Sequence, residues 1–100
     1  MNNEFTIVVP DNKVLSCVCG TNDSNLKLIE EHLGIPVFTK GNELSIENDD
    51  LSVCQKFQFI IDRIIDEIND GSKNSEDIVI SVLNTQKKVN KDEISINIPG

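Results

Sequence analysis

Between Asp50 and Gly71 the residues Val53, Cys54, Phe57, Ile60, Ile61, Ile64, Ile65 and Ile68 advance by threes and fours. This run limits the fold more than any other part of the chain, because such spacing lays apolar side chains along one side of an α-helix. Gln55, Lys56, Gln58, Asp62, Arg63, Asp66 and Glu67 fall on the remaining arc. The stripe is wide enough to cover a small sheet, so the sequence predicts a long helix as the spine of the core. One hundred residues at 38% hydrophobic content supply one core and no second one. Asp66, Glu67 and Asp70 crowd the helix end, where the dipole favours cations, so stability there has to come from packing.

The other elements follow from local signals. Phe5–Val9 is β-branched and aromatic and stops at Pro10, which predicts a strand. Asp11 can cap a helix carrying Val14, Leu15 and Val18 that ends at Gly20. After Thr21 and Asn22, either Asp23 or Ser24 can cap a second helix, with Leu26, Ile29 and Leu33 on one side and Gly34 at its end. Residues 35–40 and 43–47 then face each other across Gly41-Asn42, a pair suited to a tight hairpin turn. That register sets Lys40 against Glu43, Thr39 against Leu44 and Val37 against Ile46, and sends Phe38, Ser45 and Glu47 to the opposite, polar face. Ile78, Val79, Ile80 and Val82 favour a strand, but Ser75, Glu76 and Asp77 make a good helix start and Ile78, Val79, Val82, Leu83 and Gln86 share one helical face, so a further helix is expected. Ile94, Ile96 and Ile98 alternate with polar residues, as either an edge strand or a linker would.

Seventeen acidic and nine basic side chains leave a formal charge of -8, which predicts a soluble surface that repels polyanions unless its cations cluster. The start of the chain has no basic region followed by an apolar run, and no stretch approaches the length of a membrane span, so a cytoplasmic protein with no membrane partner is expected. Cys17, Cys19 and Cys54 are odd in number and lie in apolar settings, which predicts buried, inert thiols in a reducing compartment. Their spacing provides no zinc set, and no metal or cofactor is expected on this chain. His32, the one histidine, reads as a solvent-facing helical residue among Glu30, Glu31 and Leu33. No serine, histidine and acid arrangement can be specified, so no catalytic residue is expected.

The resulting class is α+β: strand, helix, four-residue loop, helix, hairpin and long helix, with a three-stranded antiparallel sheet packed on helices, a C-terminal helix and a terminal strand or linker. This is the order of a KH domain, whose loop between the first two helices reads Gly-x-x-Gly. From Leu15 to Leu83 the chain further resembles the N-terminal region of PhoH-like proteins, the phosphate starvation-inducible P-loop ATPases. The resemblance is carried by Cys19-Gly20, Asp23, Asn25-Leu26, Ile29-Glu30, Leu33-Gly34, Lys40-Gly41-Asn42, Glu43-Leu44 and Ser75-Glu76-Asp77-Ile78. It implies a KH-like N-terminal domain over residues 1–90, with 91–100 as a linker or edge strand toward an ATPase domain. The family acts in bacterial RNA metabolism, so the implied partners are the ATPase domain of the same polypeptide and RNA or ribosome-associated proteins. ATP and Mg would belong to that ATPase domain. No glycine of this chain opens the Gly-x-x-x-x-Gly-Lys-[Ser/Thr] loop that binds nucleotide phosphates.

The candidate nucleic-acid loop is Gly20-Thr21-Asn22-Asp23, with Lys13 and Lys27 on the flanking helices. In a KH domain the second glycine brings bare backbone close to the nucleotide strand and tolerates positive φ. Asp23 is expected to forfeit both advantages and to set a carboxylate in the path of the phosphates. A plain helix cap explains Asp23 as well. Phe38, projecting from the polar face of the hairpin, reads either as ordinary surface or as a docking point. The expected role is a non-catalytic accessory domain that positions the ATPase domain or its partners, with weak single-stranded RNA binding through the loop as the alternative.

Overall fold

The structure is a computed structural model and describes residues 4–71 and 74–85. Its elements run β1 (Glu4–Val8), α1 (Asn12–Cys19), a 3₁₀ turn (Thr21–Asp23), α2 (Ser24–Leu33), β2 (Phe38–Lys40), β3 (Glu43–Glu47) and α3 (Leu51–Asp70). A last helix, α4, occupies 75–85. The expected α+β class and the KH-like order β-α-α-β-β-α are both observed. The strands form an antiparallel sheet in the order β1-β3-β2, so the second strand of the hairpin lies in the middle.

The core lies between the helices and one face of this sheet. From the sheet come Ile7, Leu44 and Ile46, and from α3 come Phe57, Ile60, Ile61 and Ile64. Val18 and Ile29 fill the space from α1 and α2. Phe5 meets Phe57 edge to face, with ring centroids 6.2 Å apart, which suits the ring quadrupoles. Asp50 caps α3 by accepting from the Ser52 amide at 2.9 Å and its hydroxyl at 2.8 Å, and Gly71 ends it at φ +76. The Arg63–Glu67 ion pair on that helix is exposed and contributes little. Helix α4 buries Ile78, Val79, Val82 and Leu83 in the same core.

Local differences from the sequence reading have identifiable causes. Val37 does not pair with Ile46, and β2 starts at Phe38, because the next ladder bond would need an amide hydrogen from Pro36, which has none; the Val37 amide, on the side away from β3, donates to Glu30 Oε2 at 2.8 Å. The Val9 amide, one residue past β1, donates to the Asn42 carbonyl at 2.8 Å and ties the first strand to the hairpin turn. Helix α4 is capped by Asn74 rather than Ser75, since Asn74 Oδ1 accepts from the Asp77 amide at 2.9 Å. His32 is half-buried rather than solvent-facing. It lies beside Leu28, Lys56 and Leu83 at a cavity of about 460 Å³ between α2, α3 and α4. Cys54 is buried as expected, while Cys17 and Cys19 are only half-buried, and all three thiols are free. The alternating segment 94–98 and the expected linker 91–100 lie outside the described residues. No helix among the described residues is long and apolar enough to cross a membrane.

Candidate nucleic-acid interface

The structure places Gly20, Thr21, Asn22 and Asp23 where the sequence reading expects them, in the corner between α1 and α2. Helix α1 is started by Asp11, whose carboxylate accepts from the Lys13 amide at 2.8 Å, and is stopped by Gly20 at φ 77 and ψ 176. That combination lies in a region almost confined to glycine. It turns the chain away from the helix, so the last carbonyls of α1 lose their continuing backbone donors. The Cys17 carbonyl is satisfied instead by Asn25 Nδ2 at 3.0 Å, reaching back from the first turn of α2. A β-carbon on Gly20 would stand 2.7 Å from Asn25 Cγ, so glycine is required by space as well as by conformation.

Asn22 and Asp23 follow at φ 53 and φ 59, two consecutive left-handed residues. This corrects the expectation that Asp23 gives up the positive φ of a second loop glycine. Asparagine and aspartate are the side chains that best tolerate this region. It also corrects the cap: Asp23 makes no side-chain bond to the α2 amides, and Ser24 is already helical with its amide on the Thr21 carbonyl. The 3₁₀ turn is held by the Asp23 amide on the Gly20 carbonyl at 3.2 Å. The residues Thr21 to Ser24 are all exposed. The aspartate thus takes the backbone shape but keeps the β-carbon and the charge. Its carboxylate acts on Cys19, whose thiol pKa is raised first by burial and second by Asp23.

The two lysines are not equivalent. Lys27 is exposed in α2, four residues beyond Asp23, one helical turn from the loop. Lys13 is exposed in the first turn of α1, and seven residues of helix put it roughly 10 Å from Gly20 along the axis. Only Lys27 is placed to offset Asp23 locally. Phe38 stands on the opposite sheet face, 46% exposed, in a cross-strand row with Ser45 and Thr6. Ser45 at the centre of that row is only 7% exposed despite facing away from the helices. Phe38 and the loop belong to different surfaces, and the sheet does not bring them together.

Asn25 is the residue that sequence reasoning missed as part of this site. It is 1% exposed, and its Nδ2 also reaches Ser75 Oγ in α4 at 3.4 Å. An asparagine one residue inside a helix, immediately after a glycine-led corner, is the available signal.

No protein-family model and no curated protein matches the chain. A crystal structure of a protein of unknown function from Aeropyrum pernix is similar in fold, with a TM-score of 0.56 at 12% sequence identity. The match covers 90% of this chain and 50% of that one, so the chain spans about half the length of the protein it resembles. At that identity the likeness concerns the fold alone.

Proposed function

We propose that this chain is a non-catalytic accessory domain of a PhoH-like, ATP-binding protein of RNA metabolism, acting in the cytoplasm and holding the ATPase domain of the same polypeptide in position. The observation that carries this reading is the docking of α4. It follows the β-α-α-β-β-α unit and buries Ile78, Val79, Val82 and Leu83 in the shared core. Residue 85 thus ends a helix packed on the core, and a domain attached further along the chain would be tethered close to this unit. The acidic balance and the carboxylate of Asp23 favour a positioning role over independent binding of a polyanion. Calorimetry with the ATPase part of the intact protein, produced separately, should give a saturable one-to-one complex. No heat at tenfold excess argues against the reading.

A second reading is supported by the paired left-handed residues Asn22 and Asp23, which leave an exposed backbone corner of the kind that single-stranded RNA approaches in KH domains. Contact would be weak and salt-sensitive, with Lys27 as the local cation. Amide spectra recorded with a labelled single-stranded RNA at low salt should shift at residues 20–27, and D23G should strengthen the effect. Unchanged spectra for both proteins would remove this reading for the isolated domain.

A further inference from the structure

We propose that Asn25 is a positioning residue that couples the 20–23 loop to the start of α4, so that displacement of α4 is transmitted to the loop. Asn25 touches three parts of the fold at once. One amide hydrogen reaches the Cys17 carbonyl at the end of α1, and the other reaches Ser75 Oγ, fifty positions further along the chain. Its Cγ and Nδ2 occupy the space where a side chain on Gly20 would begin, at 2.7 and 2.8 Å. The loop therefore rests directly on the group that is anchored to α4.

Helix α4 is held on the core by four buried apolar residues, Ile78, Val79, Val82 and Leu83. The Ser75 contact, at 3.4 Å, is close to the limit of a hydrogen bond, so a small displacement at the start of α4 breaks it. An amide hydrogen released at a site that is 1% exposed loses its partner without gaining solvent, on a side chain whose Oδ1 has no partner among the described residues, and this favours a turn toward another acceptor. Any such turn disturbs the packing under Gly20 and the bond to Cys17. Asn22 and Asp23, which already occupy a sparsely populated backbone region, are the loop residues most ready to change conformation in response.

The test uses the chain itself and needs no RNA and no ATPase domain, so its outcome is independent of the functional readings above. Ser75→Ala removes the hydroxyl without touching the core. The expected result is a shift of the Asn25 side-chain amide and of the Gly20 to Asp23 backbone amides. Hydrogen exchange at the Gly20 and Asp23 amides should rise about threefold or more, while Leu44 and Ile46 in the central strand stay unchanged. Ser75→Thr keeps the hydroxyl and should restore the wild-type loop spectrum. Glu76→Ala perturbs the same helix start without the bond and should leave the loop alone. Changes confined to residues 74–78 in Ser75→Ala, or equal loop changes in Glu76→Ala, would overturn the proposal.

Discussion

Replacing Gly20 by alanine probes the corner at its most constrained atom. The backbone at φ 77 and ψ 176 disfavours any β-carbon, a strain on the order of 1–3 kcal/mol. The new carbon would lie 2.7 Å from Asn25 Cγ, well inside ordinary contact, so the asparagine has to move. Moving it breaks the 3.0 Å bond to the Cys17 carbonyl at a buried position, which costs a further ~1–3 kcal/mol. Alanine returns about 0.4–1 kcal/mol by restricting the unfolded chain, which leaves a net loss of about 1–5.5 kcal/mol, centred on ~3 kcal/mol. A domain of this size holds only about 5–15 kcal/mol in total. Gly34→Ala is the matched control: it sits at φ +78 with nothing within 4 Å of an added β-carbon, and after the same unfolded-state return it should lose only about 0–1.5 kcal/mol. The chain has no tryptophan or tyrosine, so urea unfolding followed by far-ultraviolet circular dichroism is the assay. Equal losses for the two variants would refute the reasoning, because the Asn25 contact would then be irrelevant.

Phe57 is fully buried against Phe5, and Phe57→Ala should lose about 3–5 kcal/mol in the same urea assay; a loss below about 2 kcal/mol would show that the pair is not central to the core. The Asp50 carboxyl is held below its ordinary pKa first by the Ser52 hydroxyl and then by the Ser52 amide. Its stabilising effect is therefore complete above the unfolded-state pKa and disappears as pH falls through the lower folded value. Carbon-detected titration should place its midpoint below the ordinary carboxylate range, and an ordinary midpoint would contradict the cap geometry. The Cys19 thiol, raised by burial and then by Asp23, should alkylate more slowly near neutral pH than a free cysteine, and Asp23→Asn should accelerate it. An unchanged rate in that variant, read by peptide mass spectrometry, would mean that the carboxylate does not face the thiol.

The parts of the fold legible in the sequence are those where local and global signals agree. The three-and-four spacing from Val53 to Ile68, with Asp50 before it and Gly71 after it, specifies α3 almost to the residue. Gly41-Asn42 specifies the hairpin register, because a two-residue connection leaves Lys40 only Glu43 to face. The early start of the ladder at Phe38 follows from Pro36, which has no amide hydrogen to donate, whereas the capture of the Val37 amide by Glu30 depends on how α2 packs and has no local signal. The loop was half legible. Its place between two helices follows from Gly20, but asparagine and aspartate serve equally as helix caps and as left-handed residues, and the choice at Asn22 and Asp23 is made by the surrounding turn. Asn25 was hidden for a different reason. Its burial depends on Ser75 arriving from fifty residues away, and no local pattern encodes that contact.

The central functional claim is that this domain orients a catalytic neighbour and performs no chemistry itself. Its most direct test is the steady-state ATPase rate of the intact protein compared with the same protein lacking residues 1–85, with this chain then added back in trans. The account predicts a lower rate after removal and recovery as the separate domain approaches stoichiometry. A rate that is the same with and without the domain, at every concentration added, would contradict it.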